Sequence, residues 1–194
     1  MLNKIEELKQ HIQKLESELE IEFENARTTL GIRIENGRAV FRKEVLKRHR
    51  ELRTSLLKYV SGAKLLIVLT APVIYAVVIP LLLLDLFVSI FQLICFPVYG
   101  IIKVRRRDHI IFDRHRLKYL NGIEKMNCIY CSYGNGVISF ALAIASDTEK
   151  YWCPIKHARR IPNPHGNYHS FAEYGDAEGY KDRITSFHRS QTES

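Results

Sequence analysis

The chain has 194 residues, 46% of them hydrophobic, and a formal net charge of +8. The run from Leu65 to Ile102 contains a single formal charge, Asp85, which is too long and too apolar a stretch for a core helix and excludes a purely soluble reading. Net charge is −3 over 1–30, +7 over 31–64, −1 over 65–102, +5 over 103–120 and 0 over 121–194. Basic residues therefore sit on both shoulders of the apolar run, which points to a membrane with anionic lipids as partner and away from nucleic acid.

Residues 1–30 are predicted to form a coiled-coil-like helix. Ile5, Leu8, Ile12, Leu15 and Leu19 follow heptad spacing, Ala26 continues the register, and no Pro or Gly interrupts before Gly31. Such a helix is marginal alone, so it either associates with another copy of the chain or folds against its own protein. The acidic, helix-like start lacks the pattern of a secretory signal. Residues 31–64 read as a short hairpin about Asn36-Gly37, followed by a basic amphipathic helix over 40–60 carrying Phe41, Val45, Leu52, Leu56 and Tyr59 on one face.

Residues 65–102 are nearly twice the length one membrane crossing needs. Arg53, Lys58 and Lys64 precede the run, and Lys103, Arg105, Arg106 and Arg107 follow it. These basic residues belong at a cytoplasmic membrane surface on both flanks, which requires an even number of crossings. The expectation is a two-span helical hairpin turning near Pro80–Asp85, with both termini cytoplasmic; a re-entrant wedge is the alternative. Asp85 has no ionisable partner within the run and is expected to be solvated at the turn.

Residues 103–160 carry the chemistry-bearing motif. Cys128-x2-Cys131 is followed after 21 residues by Cys153-x3-His157. Together these are the ligands of a closed Cys3His tetrahedron, for which zinc is the first choice and iron or an iron–sulfur cluster the alternative. The small apolar stretch Val137–Ala145 is predicted to be a helix that returns the chain so that the half-sites meet. An unpaired set of three cysteines disfavours a disulfide framework and favours a reducing compartment. Cys95, inside the apolar run, is expected to be a small apolar side chain. His109, His115, His165 and His169 stand nearby; a second metal at His165/His169 and a catalytic pair within Asp113–Arg116 are both disfavoured. Residues 161–194 are expected to form an irregular tail.

Ala71-Pro-Val-Ile-Tyr75, Asp113-Arg-His-Arg-Leu117, Tyr119-Leu-Asn121, Glu124-Lys125, the Cys128–Cys131 knuckle and Tyr151-Trp-Cys-Pro-Ile-Lys-His-Ala158 together resemble a family of uncharacterised bacterial membrane proteins. The resemblance covers most of the chain after about residue 40. It implies a location in the bacterial inner membrane and no particular activity. The fold class read from the sequence is mostly α: a helical arm, a membrane hairpin and a helical metal-binding module. The corresponding function is a membrane-anchored, non-enzymatic scaffold or adaptor with a structural zinc and an unspecified protein partner. The alternatives are a membrane-bound redox protein using iron or a dithiol at the same cysteines, and an oligomeric membrane-perturbing effector.

Overall fold

A computed structural model describes residues 2–35, 38–62 and 64–192, and the architecture is mostly helical. The chain divides into two units: Met1–Gly62 with Asp113–Lys125, and Ala63–Phe112 with Met126–Ser194.

The first unit begins with α1 (Leu2–Thr29). Leu8, Ile12, Leu15 and Leu19 on its seam are all at least half exposed. β1 (Ile32–Glu35) pairs antiparallel with β2 (Arg38–Phe41), from Ile32 opposite Phe41 to Glu35 opposite Arg38. The Asn36-Gly37 turn lies outside the described residues. The amphipathic stretch over 40–60 is two helices instead of one, α2 (Lys43–Glu51) and α3 (Leu56–Ser61). Ser55 restarts the helix by accepting the Lys58 N–H on its hydroxyl at 3.3 Å, as a helix-capping serine does. His49 presents ring edges to Phe41 and to Tyr119, with centroids 5.3 and 4.9 Å away, and Leu56 lies beside Gly122. The basic helices and the 113–125 segment thus share one small core. Asn121 is fully buried and forms a reciprocal cap with Glu124: its Oδ1 accepts the Glu124 N–H at 3.0 Å, and Glu124 Oε2 accepts the Asn121 N–H at 2.8 Å.

In the second unit the apolar run forms α4 (Leu65–Ala76) and α5 (Val78–Tyr99), joined at Val77, which has helical dihedrals of φ −62°, ψ −17°. This corrects the expected hairpin turn at Pro80–Asp85, because the chain continues as helix through those residues. Pro80 falls in the first turn of α5, where a missing N–H costs little. The run ends at Gly100, whose left-handed conformation (φ 71°) lets the Ile101 N–H bond the Phe96 carbonyl at 2.8 Å and turns the chain back. Residues 100–112 return along α5, with one helical turn, α6 (Arg106–His109), on the way.

α7 (Gly122–Trp152) then runs beside α4 and α5 in the same direction. Near its start, Tyr130 donates its hydroxyl to the Ile74 carbonyl at 2.7 Å, and the Tyr75 hydroxyl donates to Asn127 Oδ1 at 2.5 Å. Near its end, Tyr151 stacks on Tyr99 at 5.2 Å. The core between these elements is Phe96, Ile101, Phe140 and Ile144. The tail folds back over α7, with the Ala172 N–H on the Pro154 carbonyl and the Lys156 N–H on the Ala172 carbonyl, both at 2.8 Å. It does not stay irregular: Ala177–Thr192 form a further helix, α8.

Two helical stretches, Leu65–Tyr99 and Gly122–Trp152, are long and apolar enough to cross a membrane by length and composition.

Gly136 is where the return segment comes closest to α7. A Cβ there would lie 2.9 Å from the His109 carbonyl oxygen and from the Ile110 Cα. Gly136→Ala is expected to lower unfolding stability by about 1–3 kcal/mol, the usual cost of overpacking. Gly166→Ala, with open space around it, should stay within about 0.5 kcal/mol. Chemical unfolding in detergent measures both.

Candidate functional site

The four expected metal ligands are not gathered. Cys128 and Cys131 sit one turn apart near the start of α7, whereas Cys153 follows its last residue and His157 lies in the tail. An uninterrupted helix advances the chain by about 1.5 Å per residue, so the Cys131 and Cys153 positions are separated by roughly 30 Å. Val137–Ala145 is helix, but as the middle of α7 it carries the chain onward instead of returning it. Among the described residues no group of three or more His, Cys, Asp or Glu side chains is placed to hold an ion.

The other features of these residues are local. All four cysteines are free, with Cys131 and Cys153 exposed and Cys95 and Cys128 half-buried. Partial burial of the Cys153 thiol, followed by the charge of Glu149, pushes its pKa up, away from the thiolate that ligation and thiol exchange require. His157 is fastened by its backbone, whose N–H donates to the Tyr168 hydroxyl at 2.8 Å.

The structure assembles two polar clusters that the sequence reading did not. The first is centred on Asp85, which is 9% exposed in the middle of α5. The Arg106 guanidinium grips it as a fork, with Nε 3.0 Å from Oδ1 and Nη2 2.6 Å from Oδ2, and the Tyr133 hydroxyl donates to Oδ2 at 3.0 Å. Hydrogen bonding to that carboxylate raises the Arg106 pKa further, so the guanidinium stays charged. About two turns further along α5, buried Gln92 accepts the Val104 N–H on Oε1 at 3.1 Å. Next along the return segment, His109 Nδ1 lies 2.9 Å from the Ser139 hydroxyl. The return segment is therefore bound to α5 and α7 by polar contacts at three successive points. Asp85 is a paired structural carboxylate, not the solvated turn residue expected from the sequence. The available signal was that an acid in an apolar run needs a partner, and the guanidinium lies 21 residues downstream.

The second cluster joins α7 to the tail. Asn167 Nδ2 donates to Ser146 Oγ and to Asp147 Oδ1, each at 2.9 Å. Ser146 Oγ lies 2.7 Å from His165 Nδ1, and His165 Nε2 lies 2.8 Å from Glu149 Oε2. With neutral His165, the serine hydroxyl donates to Nδ1 and the ring N–H donates to the carboxylate. A Ser–His–Glu chain suggests a nucleophile relay, but the surroundings do not serve one. Ser146 is only 5% exposed, its oxygen already accepts from Asn167, and it lies in a helix interior whose backbone N–H groups are committed. The Asn167 amide beside it is already committed to Ser146 and Asp147 and so is not held ready for a developing oxyanion. The arrangement works as a clasp holding the tail on α7.

The remaining candidates stay apart. His115 is in a short turn of the first unit, with Nδ1 buried and without a hydrogen-bond partner among the described residues. His169 lies in the Tyr168–Ser170 turn and does not join His165. Of the basic shoulder residues, Arg106 is committed to Asp85, Arg105 pairs with Asp108 at 2.8 Å while remaining two-thirds exposed, and Arg107 is 79% exposed. No family model matches the chain, and the searches of curated proteins and of solved structures returned no match either.

Removing Arg106 leaves the Asp85 carboxylate buried with weaker partners. Arg106→Ala is expected to cost about 1–3 kcal/mol of unfolding stability, and Arg106→Lys should recover only part of it, because an ammonium cannot reproduce the two-pronged grip. The separation of the cysteines carries a second expectation: a strong chelator should leave the thermal unfolding of the full chain unchanged. A stoichiometric ion that is lost on Cys128→Ser would show instead that α7 is not continuous.

Proposed function

We propose that the protein is a membrane-anchored scaffold whose N-terminal helix is its association arm. The observation that carries this reading is the exposure of two different apolar surfaces. α4 and α5 present Leu65, Leu66, Leu69, Val73, Phe87 and Val98 outward, each more than 60% exposed, over a stretch with one formal charge. That surface is far larger than a soluble monomer leaves bare, and a bilayer covers it. α1 is a different kind of surface: a narrow seam of Leu8, Ile12, Leu15 and Leu19 between charged flanks. A lipid layer is a poor partner for so acidic a helix, and a second copy of α1 suits the seam.

Cys128 and Cys131 lie near the start of α7 while Cys153 and His157 lie beyond its end, so the proposed scaffold includes no zinc site. The polar clusters are used to hold chain segments in place, so the reading assigns no reaction to them.

Deleting residues 1–30 should reduce the mass of the detergent-solubilised particle by more than the deleted residues account for, converting an oligomer to a smaller species, while the remaining chain keeps its unfolding transition. Light scattering after size-exclusion chromatography measures this. A mass reduced only by the deletion would remove self-association through α1 from the proposal.

A further inference from the structure

The topology decides how the apolar surface meets the bilayer. Residues 43–62 and 113–125 belong to one folded unit, tied by His49 against Tyr119 and Leu56 beside Gly122. The chain between them leaves that unit at Gly62 and comes back to it at Asp113, so both ends of the excursion lie on one side of any membrane. The outward leg is the 35-residue helical stretch Leu65–Tyr99. At about 1.5 Å per residue it is roughly 50 Å long, against the roughly 30 Å thickness of a hydrocarbon layer.

The way back is residues 100–112, which are mostly non-helical and contain Lys103, Arg105, Arg106, Arg107 and Asp108. These residues are not at the helix end. Val104 lies at Gln92 and Arg106 at Asp85, so the charges are drawn back along the middle of α5. Of them, Arg105 and Arg107 keep their side chains 67% and 79% exposed. α7 then runs in the same direction as α5. Two crossings by helices pointing the same way require the connection between them to cross as well. Here the connection is irregular backbone with outward-facing guanidinium groups, which a hydrocarbon layer does not accept.

We propose that the chain enters the bilayer from one face only. The outward apolar side of α4 and α5 lies in the boundary between headgroups and acyl chains, the return segment lies in the headgroup layer, and Arg105 and Arg107 contact the phosphates of anionic lipids. This rests on the membrane-anchored reading and adds that neither long helix crosses.

The test uses the unaltered full chain in sealed membrane vesicles of both orientations. Trypsin is added outside, the fragments are identified by mass spectrometry, and a detergent-solubilised sample shows which sites are cut when reachable. One-sided entry predicts cleavage after Arg53, Arg107 and Arg159 from the same vesicle face, and an intact chain from the other. Cleavage after Arg159 from the face opposite to Arg53 would mean that α7 crosses and would overturn the proposal. Sites cut in detergent but from neither face would place the return segment below the headgroups and overturn it too. A chain that does not sediment with membranes at all would defeat the anchored reading itself, which is a separate outcome. In a second arm, the double variant Arg105→Gln/Arg107→Gln is bound to vesicles of phosphatidylglycerol and of phosphatidylcholine. Affinity for the anionic vesicles should fall by about thirty-fold, at roughly 1 kcal/mol per basic residue, and affinity for the zwitterionic ones should barely change. Equal losses on both lipids would remove the phosphate contact from the proposal.

Discussion

An acid set in the middle of an apolar helix has to be neutralised or paired, and the pairing of Asp85 with Arg106 governs the second unit. To bring the guanidinium to the carboxylate, the chain must reverse soon after Tyr99 and run back along α5, and Gly100 supplies that reversal. Once the return segment lies there, α7 has to accommodate it. Tyr133 adds a third donor to the same carboxylate, and Gly136 leaves room for the backbone at His109 and Ile110. The core of Phe96, Ile101, Phe140 and Ile144 then closes over all three elements. The ion pair is half open to solvent on the arginine side, so it acts less as a source of stability than as the contact that sets which residues of the return segment face which residues of α5.

The same logic, an exposed segment held by a few saturated polar contacts, recurs at the tail. Ser146, Glu149 and Asp147 on α7 bind His165 and Asn167, while Tyr168 and Phe171 bury their rings against His165. The apolar part provides the burial, and the polar part decides where the segment stops. Ser146 is buried, and its contacts with Asn167 and His165 hold the tail on α7.

The two exposed apolar surfaces differ in a way that, on the proposed function, suits them to different partners. α4 and α5 are apolar around most of their circumference, which suits a medium without directional demands. α1 sets Leu8, Ile12, Leu15 and Leu19 along one stripe with charges on either side, leaving Ile21 on the opposite face, and the stripe suits a partner able to interdigitate.

Composition and periodicity alone pointed to a mostly helical chain, to the unbroken helix Leu2–Thr29, and to a stretch from Leu65 that is long and apolar enough to cross a membrane. These properties are local, since they depend on residue type and on repeats of a few positions. The tertiary structure decided everything that depends on residues distant in sequence. Asp85 seemed without a partner because its partner lies beyond the apolar run, on a segment whose path no local pattern specifies. Cys128, Cys131, Cys153 and His157 had ligand spacing, but spacing says nothing about the shape of the chain between the half-sites. The reciprocal cap at Asn121–Glu124 starts a helix that, with no Pro inside it, continues to Trp152 and keeps them apart. Direction was decided in the same way: two apolar helices look alike in sequence whether they run parallel or antiparallel, and only the folded return segment between them makes these two parallel.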